Sequence, residues 1–196
     1  MGSSTASTSK ETWRAKFRTY RRSLGTRAYA ARSSLIGQRA LGLPAVTQAQ
    51  VVHVYWPLPV QREIDTRPLI GTLCAKGIDV VLPVVTSFAP DTPTMEHRRY
   101  TGPDALVPNR WGIYEPVSTT PVTVAALDVV LVPTLGADQK GQRLGHGSGY
   151  YDAFLRDVSC PRIALVYEAC VVPTLPKASH DVPMTTLVTE QTVIDI

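Results

Sequence analysis

The sequence predicts a single α/β domain with a mostly parallel sheet flanked by helices. Three apolar runs rich in β-branched residues, at residues 51–56, 128–133 and 162–167, are typical of buried strands. Helical patterns alternate with these runs, as in parallel sheets that are covered on both faces. A length of 196 residues, 44% hydrophobic and 18% charged, suits one globular domain. We expect it to span residues 8–196, after a disordered tail at residues 1–7.

Two helices are predicted before the first strand, and a third after it. Thr8 and Glu11 have capping-box spacing and are expected to open the first helix. The apolar positions of that helix recur at helical spacing and are Trp13, Phe17, Tyr20 and Leu24. The second helix is expected from about residue 26 to residue 41. Asp65 or Thr66 is expected to cap the third, because Pro68 suits a first turn.

Four further elements are predicted from shorter patterns. Residues 80–85 indicate a strand, and Pro83 within it favours an edge position or a bulge. A short strand is expected around residues 95–100, within an irregular proline-rich stretch. A helix is expected at residues 149–158, and residues 187–190 are expected to close the chain as a short strand.

A glycine-rich segment from Gly141 to Asp152 is expected to follow the strand at residues 128–133 directly. Glycines at 141, 145, 147 and 149 allow positive φ, which lets several N–H groups converge on an anion at the start of the next helix. The segment lacks the Gly-Lys-Ser/Thr ending of a Walker A loop, and Tyr150 replaces the third glycine of a dinucleotide fingerprint. The alternative is a flexible connection. Ligands of open parallel sheets bind beyond the carboxyl ends of the strands, which favours the phosphate-binding interpretation.

The positive charge of the chain is concentrated at its N-terminus. Residues 1–40 contain nine lysines or arginines and one acid, Glu11, whereas the rest contains 11 basic and 15 acidic residues. Lys10, Arg14 and Arg18 share one helix face, where like charges repel, so a bound anion is favoured. A solvated basic face is the alternative. The anion could be a nucleotide, a nucleic acid or an acidic metabolite.

Five segments in this order resemble the 5-formyltetrahydrofolate cyclo-ligase (methenyltetrahydrofolate synthetase) family. They are Lys10-x-x-x-Arg14, Glu63-Ile-Asp-Thr66, Trp111-Gly-Ile-Tyr-Glu-Pro116, Arg143-Leu-Gly-His-Gly-Ser-Gly-Tyr-Tyr-Asp152, and His180-Asp-Val-Pro-Met184 with Thr189-Glu190. The resemblance implies a fold like that of sugar-phosphate isomerases and CoA transferases. It also implies ATP- and Mg²⁺-dependent cyclisation of 5-formyltetrahydrofolate to 5,10-methenyltetrahydrofolate. ADP and phosphate would be released, through a phosphorylated formyl intermediate.

The resemblance assigns roles to some residues of these segments, and Trp56 is added as an aromatic candidate for the folate pocket. Catalytic roles fall to Arg143 and Tyr150. ATP would be bound by Lys10, Arg14, Arg143, Leu144, Gly145, His146, Gly147, Ser148, Gly149, Tyr150 and Tyr151. The folate substrate would be bound by Trp56, Glu63, Trp111, His146, Gly147, Ser148, Gly149 and Tyr150. Mg²⁺ would be held by Asp152 and Asp181. From the residues alone, Trp56 could equally be a core side chain, Asp152 a helix-dipole partner and Asp181 a turn residue.

Two positions depart from the family pattern. His146 stands where many members have arginine, and Ser148 where glycine or lysine is common. His53 and His97 show no partner spacing and are expected to be structural. The three cysteines, Cys74, Cys160 and Cys170, form neither a disulfide framework nor a zinc motif.

The expected partners are small molecules, with no nucleic acid and no membrane. We expect a cytoplasmic monomer, since neither a signal peptide nor an apolar run of membrane-spanning length is visible. Two other functions stay open at this point. A nucleic-acid-binding module would explain the basic helix, and an isomerase of related fold would need neither nucleotide nor magnesium.

Overall fold

The computed structural model describes residues 9–89, 93–117 and 119–196. The predicted tail at residues 1–7 and Thr8 lie outside these residues. The helices are α1 (Lys10–Ser23), α2 (Thr26–Leu41), α3 (Pro44–Thr47), α4 (Arg67–Ala75) and α5 (Tyr150–Leu155). The strands are β1 (Val51–His53), β2 (Asp79–Ser87), β3 (Thr94–Arg99), β4 (Leu106–Pro108), β5 (Tyr114–Pro116), β6 (Val129–Pro133), β7 (Gly136–Asp138), β8 (Arg143–Leu144), β9 (Arg162–Leu165), β10 (Val171–Val172), β11 (Thr186–Val188) and β12 (Val193–Asp195).

The main sheet has seven strands in the order β12-β11-β9-β6-β1-β2-β3. The five inner strands are parallel, and the edge strands β3 and β12 pair antiparallel with their neighbours. The predicted mostly parallel sheet is therefore confirmed. From β1 the chain runs to one side through β2 and β3, then returns to β6 and continues to the other side. The chain therefore changes direction between the neighbouring strands β1 and β6, and this is the topological switch point. In open α/β sheets, ligands bind beyond the carboxyl ends of the strands at this point.

Helices α1, α2, α4 and α5 correspond to predicted helices, with shifts at their ends, whereas α3 was not predicted. Helix α1 is capped by Ser9 and not by Thr8 as expected; the Ser9 side chain accepts a hydrogen bond from the backbone N–H of Thr12 at 3.2 Å. Helix α2 has the predicted bounds. Helix α4 follows the predicted cap at Thr66, but the Thr66 hydroxyl donates to the Tyr55 carbonyl at 2.7 Å instead of capping. None of the helices among the described residues is long and apolar enough to cross a membrane.

Pro83 lies in the part of β2 that extends beyond its pairing with β1, so it is paired only with β3, and the register of that pair shifts between Val85 and Ser87. This agrees with the edge position or bulge that the proline predicted. Two other local predictions were wrong. The glycine-rich segment does not follow β6 directly, because the β7–β8 hairpin intervenes and Gly141 lies at its turn with φ of +78°. The strand near residues 187–190 does not close the fold, since β12 follows it and pairs antiparallel.

A continuous hydrophobic core packs on the sheet, and α1 contributes to it close to β6 and β7. Phe17 of α1 is 1% exposed. A Cβ added to Gly136 would come within 2.1 Å of the Phe17 ring, so the absence of a side chain at Gly136 allows this close approach. Arg21, one turn further along α1, is buried and donates from Nη2 to the Thr134 carbonyl just after β6. Helix α1 is therefore fixed against the switch-point end of the sheet.

Candidate active site

Segments from four parts of the chain meet beyond the carboxyl ends of β1 and β6. The segment after β1 contributes Trp56 and Glu63, and the segment after β6 contributes the β7–β8 hairpin and the loop at residues 145–149. Helix α1 lies along that loop. The segment near Asp181 comes from the far end of the sequence. The structure thus brings together most of the residues that the five segments predicted, at the position that the sheet topology favours.

The loop at residues 145–149 needs glycine at two positions that arginines approach. A Cβ on Gly145 would lie 2.8 Å from Nη1 of Arg143, and a Cβ on Gly147 would lie 3.3 Å from the guanidinium carbon of Arg14. Gly147 also has φ of +107°, which an L side chain rarely adopts. The helix that follows, α5, has only six residues. The cations and the loop backbone, and not a long helix dipole, are therefore the features here that could bind an anion.

The basic face of α1 is directed at this loop and its surroundings. Arg14 donates from Nε to the Gly145 carbonyl at 3.1 Å, and Arg18 donates from Nη2 to the His146 carbonyl at 3.3 Å. Glu11 forms ion pairs of 3.2 Å with both arginines, which offsets the repulsion expected along this face. The face is therefore built into the site. It is not a free, solvated surface.

Lys10 and Asp181, which are 171 positions apart, form a close ion pair. Nζ of Lys10 lies 2.7 Å from Oδ1 and 2.6 Å from Oδ2 of Asp181. Burial alone would raise the pKa of Asp181, but hydrogen bonds from Lys10 and from the Ala178 N–H hold that pKa below its ordinary value. Asp181 is therefore a carboxylate in this structure, positioned beside α1.

Arg143 forms the second ion pair of the site. Its Nη2 lies 2.5 Å from Oδ1 of Asp152 in the first turn of α5, and its guanidinium lies 5.9 Å from the ring centre of Tyr151. The Arg143 side chain is 4% exposed, and its buried Nε has no hydrogen-bond partner within the part of the chain that the structure describes. A guanidinium forms charge-assisted hydrogen bonds with carboxylates and phosphates, so Arg143 could contact an anionic ligand beside Asp152.

An aromatic cluster forms one wall of the site. The Trp111 ring packs edge-on against Phe88, with centroids 4.6 Å apart, and against Tyr150, with centroids 5.9 Å apart. The Tyr150 hydroxyl donates to the Ser87 carbonyl at 2.7 Å, and the Arg110 guanidinium lies 4.0 Å from the Phe88 ring centre. Trp111 is 46% exposed, so the cluster keeps a large aromatic surface open to a ligand.

Sequence reasoning missed the residues that hold Trp111 in place. The Asn109 side chain accepts hydrogen bonds from the backbone N–H groups of Trp111, at 2.9 Å, and Ile113, at 3.2 Å, and its amide donates to Glu115 at 2.8 Å. Burial raises the pKa of Glu115, although the Val85 N–H and Asn109 oppose that shift by donating to the carboxylate. An asparagine two residues before a tryptophan is the local signal that could have indicated this turn.

Glu63 and His146 face each other across the site. Glu63 is 5% exposed, and its Oε2 accepts a hydrogen bond from the Leu58 N–H at 3.0 Å. Its Oε1 lies 3.8 Å from Nε2 of His146. Trp56 lies apart from the Trp111 cluster: the ring that packs against it is Tyr100, with centroids 5.8 Å apart. The described contacts therefore join Glu63 to the glycine loop and leave Trp56 half-buried at a neighbouring position.

His53 and His97 form a buried pair beneath α5, although sequence spacing showed no partner for either. Their ring centroids are 5.0 Å apart, and both rings contact Phe154. Burial lowers the pKa of His53 well below its ordinary value and lowers the pKa of His97 to about 4. Both imidazoles are therefore neutral at physiological pH, which supports the structural role that was expected.

This pair predicts a loss of stability in acid. An unfolded imidazole binds its proton near pH 6.5, whereas His97 in the folded protein stays neutral to about pH 4. Between those pH values the unfolded state binds more protons, so the free energy of unfolding falls as the pH falls, by about 1 kcal/mol per pH unit for each histidine. We expect His97→Phe to reduce that slope by about 1 kcal/mol per pH unit in urea unfolding between pH 4.5 and 6.

A matched control is His180→Asn, because the His180 side chain is 58% exposed. That variant is expected to follow the wild-type dependence of stability on pH. Equal slopes in wild type and His97→Phe would show that the buried pair does not contribute to acid unfolding.

The two carboxylates assigned to magnesium, Asp152 and Asp181, fit such an ion by the chemistry of their oxygen atoms. Asp181 pairs with Lys10 of α1, the helix whose Arg14 bonds to the Gly145 carbonyl, and Asp152 pairs with Arg143 just before the glycine loop. Within residues 9–89, 93–117 and 119–196, no group of three or more His, Cys, Asp or Glu side chains could hold a metal. A metal here would need oxygen atoms from a ligand as well.

Comparisons with known proteins agree on one family. The sequence profile of the 5-formyltetrahydrofolate cyclo-ligase family matches residues 6–190. The 5-formyltetrahydrofolate cyclo-ligase of Escherichia coli K12 is 32% identical over 160 residues, which is 79% of this chain and 86% of that enzyme. The mouse cyclo-ligase is 26% identical over 194 residues, 92% of this chain and 93% of that enzyme. The solution structure of 5,10-methenyltetrahydrofolate synthetase from Aquifex aeolicus superposes with a TM-score of 0.82 at 28% identity, over 95% of this chain and 92% of that chain.

Proposed function

The chain belongs to the 5-formyltetrahydrofolate cyclo-ligase family, and on that premise we propose that it converts 5-formyltetrahydrofolate to 5,10-methenyltetrahydrofolate with Mg-ATP. The observation that carries the proposal is the position of α1 beside the glycine loop: Arg14 of α1 donates to the Gly145 carbonyl, and Lys10 lies one turn before Arg14. Arg143 lies in the strand just before the loop and pairs with Asp152 just after it. Cations grouped around a glycine-rich loop are suited to bind phosphate groups.

The proposed reaction has two steps. The formyl oxygen attacks the γ-phosphorus of ATP, the bond to the β-phosphate oxygen breaks, and ADP leaves. N10 then attacks the activated formyl carbon with its lone pair, its proton passes to solvent, and the carbon–oxygen bond breaks so that phosphate departs with the former formyl oxygen. Both steps depend on in-line positioning and on neutralisation of charge. The described residues would provide the positioning and the charge neutralisation, and the proposed reaction uses no protein nucleophile.

Each part of the site has a proposed role in this chemistry. Arg143, Lys10 and Arg14, with the N–H groups of residues 144–151, would neutralise and orient the phosphates. Asp152 and Asp181 would hold Mg²⁺, which when bound neutralises phosphate charge. Arg143 is also the proposed catalytic cation, because its guanidinium lies beside Asp152 at the start of α5 and would stabilise negative charge on the transferred phosphate.

The folate would lie against the aromatic wall. Trp111 offers an exposed ring face, and Tyr150 connects that wall to the loop. The buried carboxylate of Glu63 accepts hydrogen bonds and would bind an N–H group of the pterin. Trp56 is the fourth proposed contact, at the edge of the pocket. His146 and the loop backbone would contact both substrates, since they lie between Glu63 and α1.

The assay for this function mixes the protein with Mg-ATP and 5-formyltetrahydrofolate and follows the conjugated methenyl product by its absorbance. We expect product only when protein, Mg²⁺, ATP and the folate are all present, and we expect EDTA to stop its formation. A folded protein that forms no product under these conditions would contradict the proposal.

Trp111 supplies a specific prediction about the folate pocket. We expect Trp111→Ala to raise KM for the folate by about tenfold or more, because one exposed stacking surface is lost, with little change in KM for ATP. Trp111→Phe should recover much of the affinity. The control is Val107→Ala on the same β4–β5 hairpin, since Val107 is exposed and outside the cluster. Equal KM values for wild type and Trp111→Ala would contradict the role of Trp111.

A further inference from the structure

Both carboxylates proposed for the metal are occupied by cations of the chain itself. Lys10 contacts both oxygens of Asp181, at 2.6 and 2.7 Å, and Arg143 contacts Asp152 at 2.5 Å. Lys10 and Arg143 are also two of the cations proposed for the phosphates. Opposite charges that would bind two different parts of Mg-ATP are therefore paired with each other in this structure.

These pairs are shielded from solvent. The side chains of Asp181 and Arg143 are 8% and 4% exposed, and those of Asp152 and Lys10 are 24% and 25% exposed. Removing one member of such a pair leaves the other as a buried charge without a partner, which is unfavourable. Neither a metal alone nor a nucleotide alone can therefore replace a partner without leaving an unpaired charge behind.

The metal site is also incomplete without a further ligand. A divalent ion such as Mg²⁺ takes six oxygen ligands, of which Asp152 and Asp181 supply the carboxylates. Nε2 of His180 lies 3.7 Å from Oδ1 of Asp181, but among the described residues no group of three or more His, Cys, Asp or Glu side chains could hold a metal. A triphosphate supplies both missing parts, because its oxygens can complete the coordination and its charge can receive the displaced cations.

We infer that, in the free protein, Lys10 and Arg143 are the counter-ions of the carboxylates that would bind the metal. Binding of Mg-nucleotide would then break both ion pairs together. In that exchange the carboxylates pass from the cations to the metal, and the cations pass to the phosphates. This inference rests on the proposed function for the identity of the ligands. It predicts that binding of metal and binding of nucleotide are strongly coupled at this site.

The first test measures binding of Mn²⁺ alone, by the loss of its electron paramagnetic resonance signal on binding. Wild type is expected to bind Mn²⁺ weakly without nucleotide, and Lys10→Met is expected to bind it about tenfold more tightly because Asp181 is released. The control is Arg18→Met, which removes a cation from the same face of α1 but one paired with Glu11. An equal gain in both variants, or no gain in Lys10→Met, would overturn the inference.

The second test measures binding of a non-hydrolysable ATP analogue in EDTA, by calorimetry. Asp181→Asn removes the partner of Lys10 and is expected to raise the affinity for the analogue in the absence of metal by about threefold or more. The control is Asp79→Asn, which removes a carboxylate paired with Arg99 at the β2–β3 edge. If Asp181→Asn weakens binding of the analogue, or if both variants change it equally, then Asp181 does not compete with the nucleotide for Lys10, and the inference is overturned.

These outcomes separate the inference from the proposed function. If Lys10→Met binds Mn²⁺ more tightly but the wild-type protein forms no methenyl product, the ion-pair exchange is retained and the reaction is rejected. Product formation by a wild-type protein that binds Mn²⁺ equally well with and without nucleotide would retain the reaction and reject the exchange. Circular dichroism of each variant confirms that the measured changes occur in folded protein.

Discussion

Replacing Asp152 with asparagine is expected to lower kcat by about three orders of magnitude while the fold is retained. Asparagine preserves the shape of the side chain, and its carbonyl can still accept the hydrogen bond that Arg143 donates at 2.5 Å. What it removes is the negative charge that would hold the metal. The measurement is the single-turnover rate of methenyl formation, together with the thermal midpoint of unfolding.

Asp157→Asn is the matched control for this variant, because Asp157 is an exposed carboxylate just beyond the same helix, α5. It is expected to retain wild-type turnover. Full activity in Asp152→Asn would reject the metal role of Asp152. A lost activity accompanied by a large fall in the thermal midpoint would assign Asp152 a structural role as the partner of Arg143.

Gly136→Ala is expected to have the largest effect on stability. The new Cβ would lie 2.1, 2.3 and 2.7 Å from three carbon atoms of the Phe17 ring, and a buried ring cannot move aside as a flexible side-chain end can. Overpacking of this kind costs about 1–3 kcal/mol or more of the free energy of unfolding. That cost corresponds to a fall of roughly 2–12 °C in the thermal midpoint for a chain of this size.

The same substitution is expected to weaken nucleotide binding, because α1 carries Lys10 and Arg14 and would be displaced from the loop. Gly71→Ala is the control: Gly71 lies within α4, and a Cβ there meets no atom within 4 Å. It should be neutral or stabilising. Phe17→Leu added to Gly136→Ala should recover part of the stability. A single variant as stable as wild type would contradict the close packing of α1 on β7.

The elements that were predicted correctly are those whose residues carry their own pattern. The valine-rich run of β6 is buried on both faces, so it appears in the sequence as a continuous apolar segment. Helix α1 follows its apolar spacing, although Ser9 and not Thr8 is its N-cap, and helix α2 has the predicted bounds. These patterns were sufficient for the α/β class.

The missed elements are short, and their stability comes from the rest of the fold. Strand β7 contains Gly-Ala-Asp and β8 contains Arg-Leu, and neither shows an alternation that separates a hairpin from a loop. Strand β12 has three residues. Its pairing with β11 depends on the tertiary structure and not on an intrinsic strand preference.

The ion pairs and hydrogen bonds within the candidate site were not predicted, and the roles of its residues remain predictions. The resemblance assigned Lys10 and Asp181 to different ligands, and nothing local to either residue indicates that they contact each other across 171 positions. The same holds for Asn109 and Glu115, which position Trp111 through side-chain hydrogen bonds. Contacts of this kind depend on the folded arrangement of distant segments, so a single sequence does not contain a direct signal for them.

The central claim is that this site transfers a phosphoryl group to the formyl oxygen of the folate. The direct measurement uses 5-formyltetrahydrofolate labelled with ¹⁸O in the formyl group, with mass analysis of the phosphate released during turnover. The proposed reaction places one ¹⁸O atom in each phosphate, and the amount of labelled phosphate should equal the amount of methenyl product. Unlabelled phosphate, or methenyl product formed without release of phosphate, would contradict it.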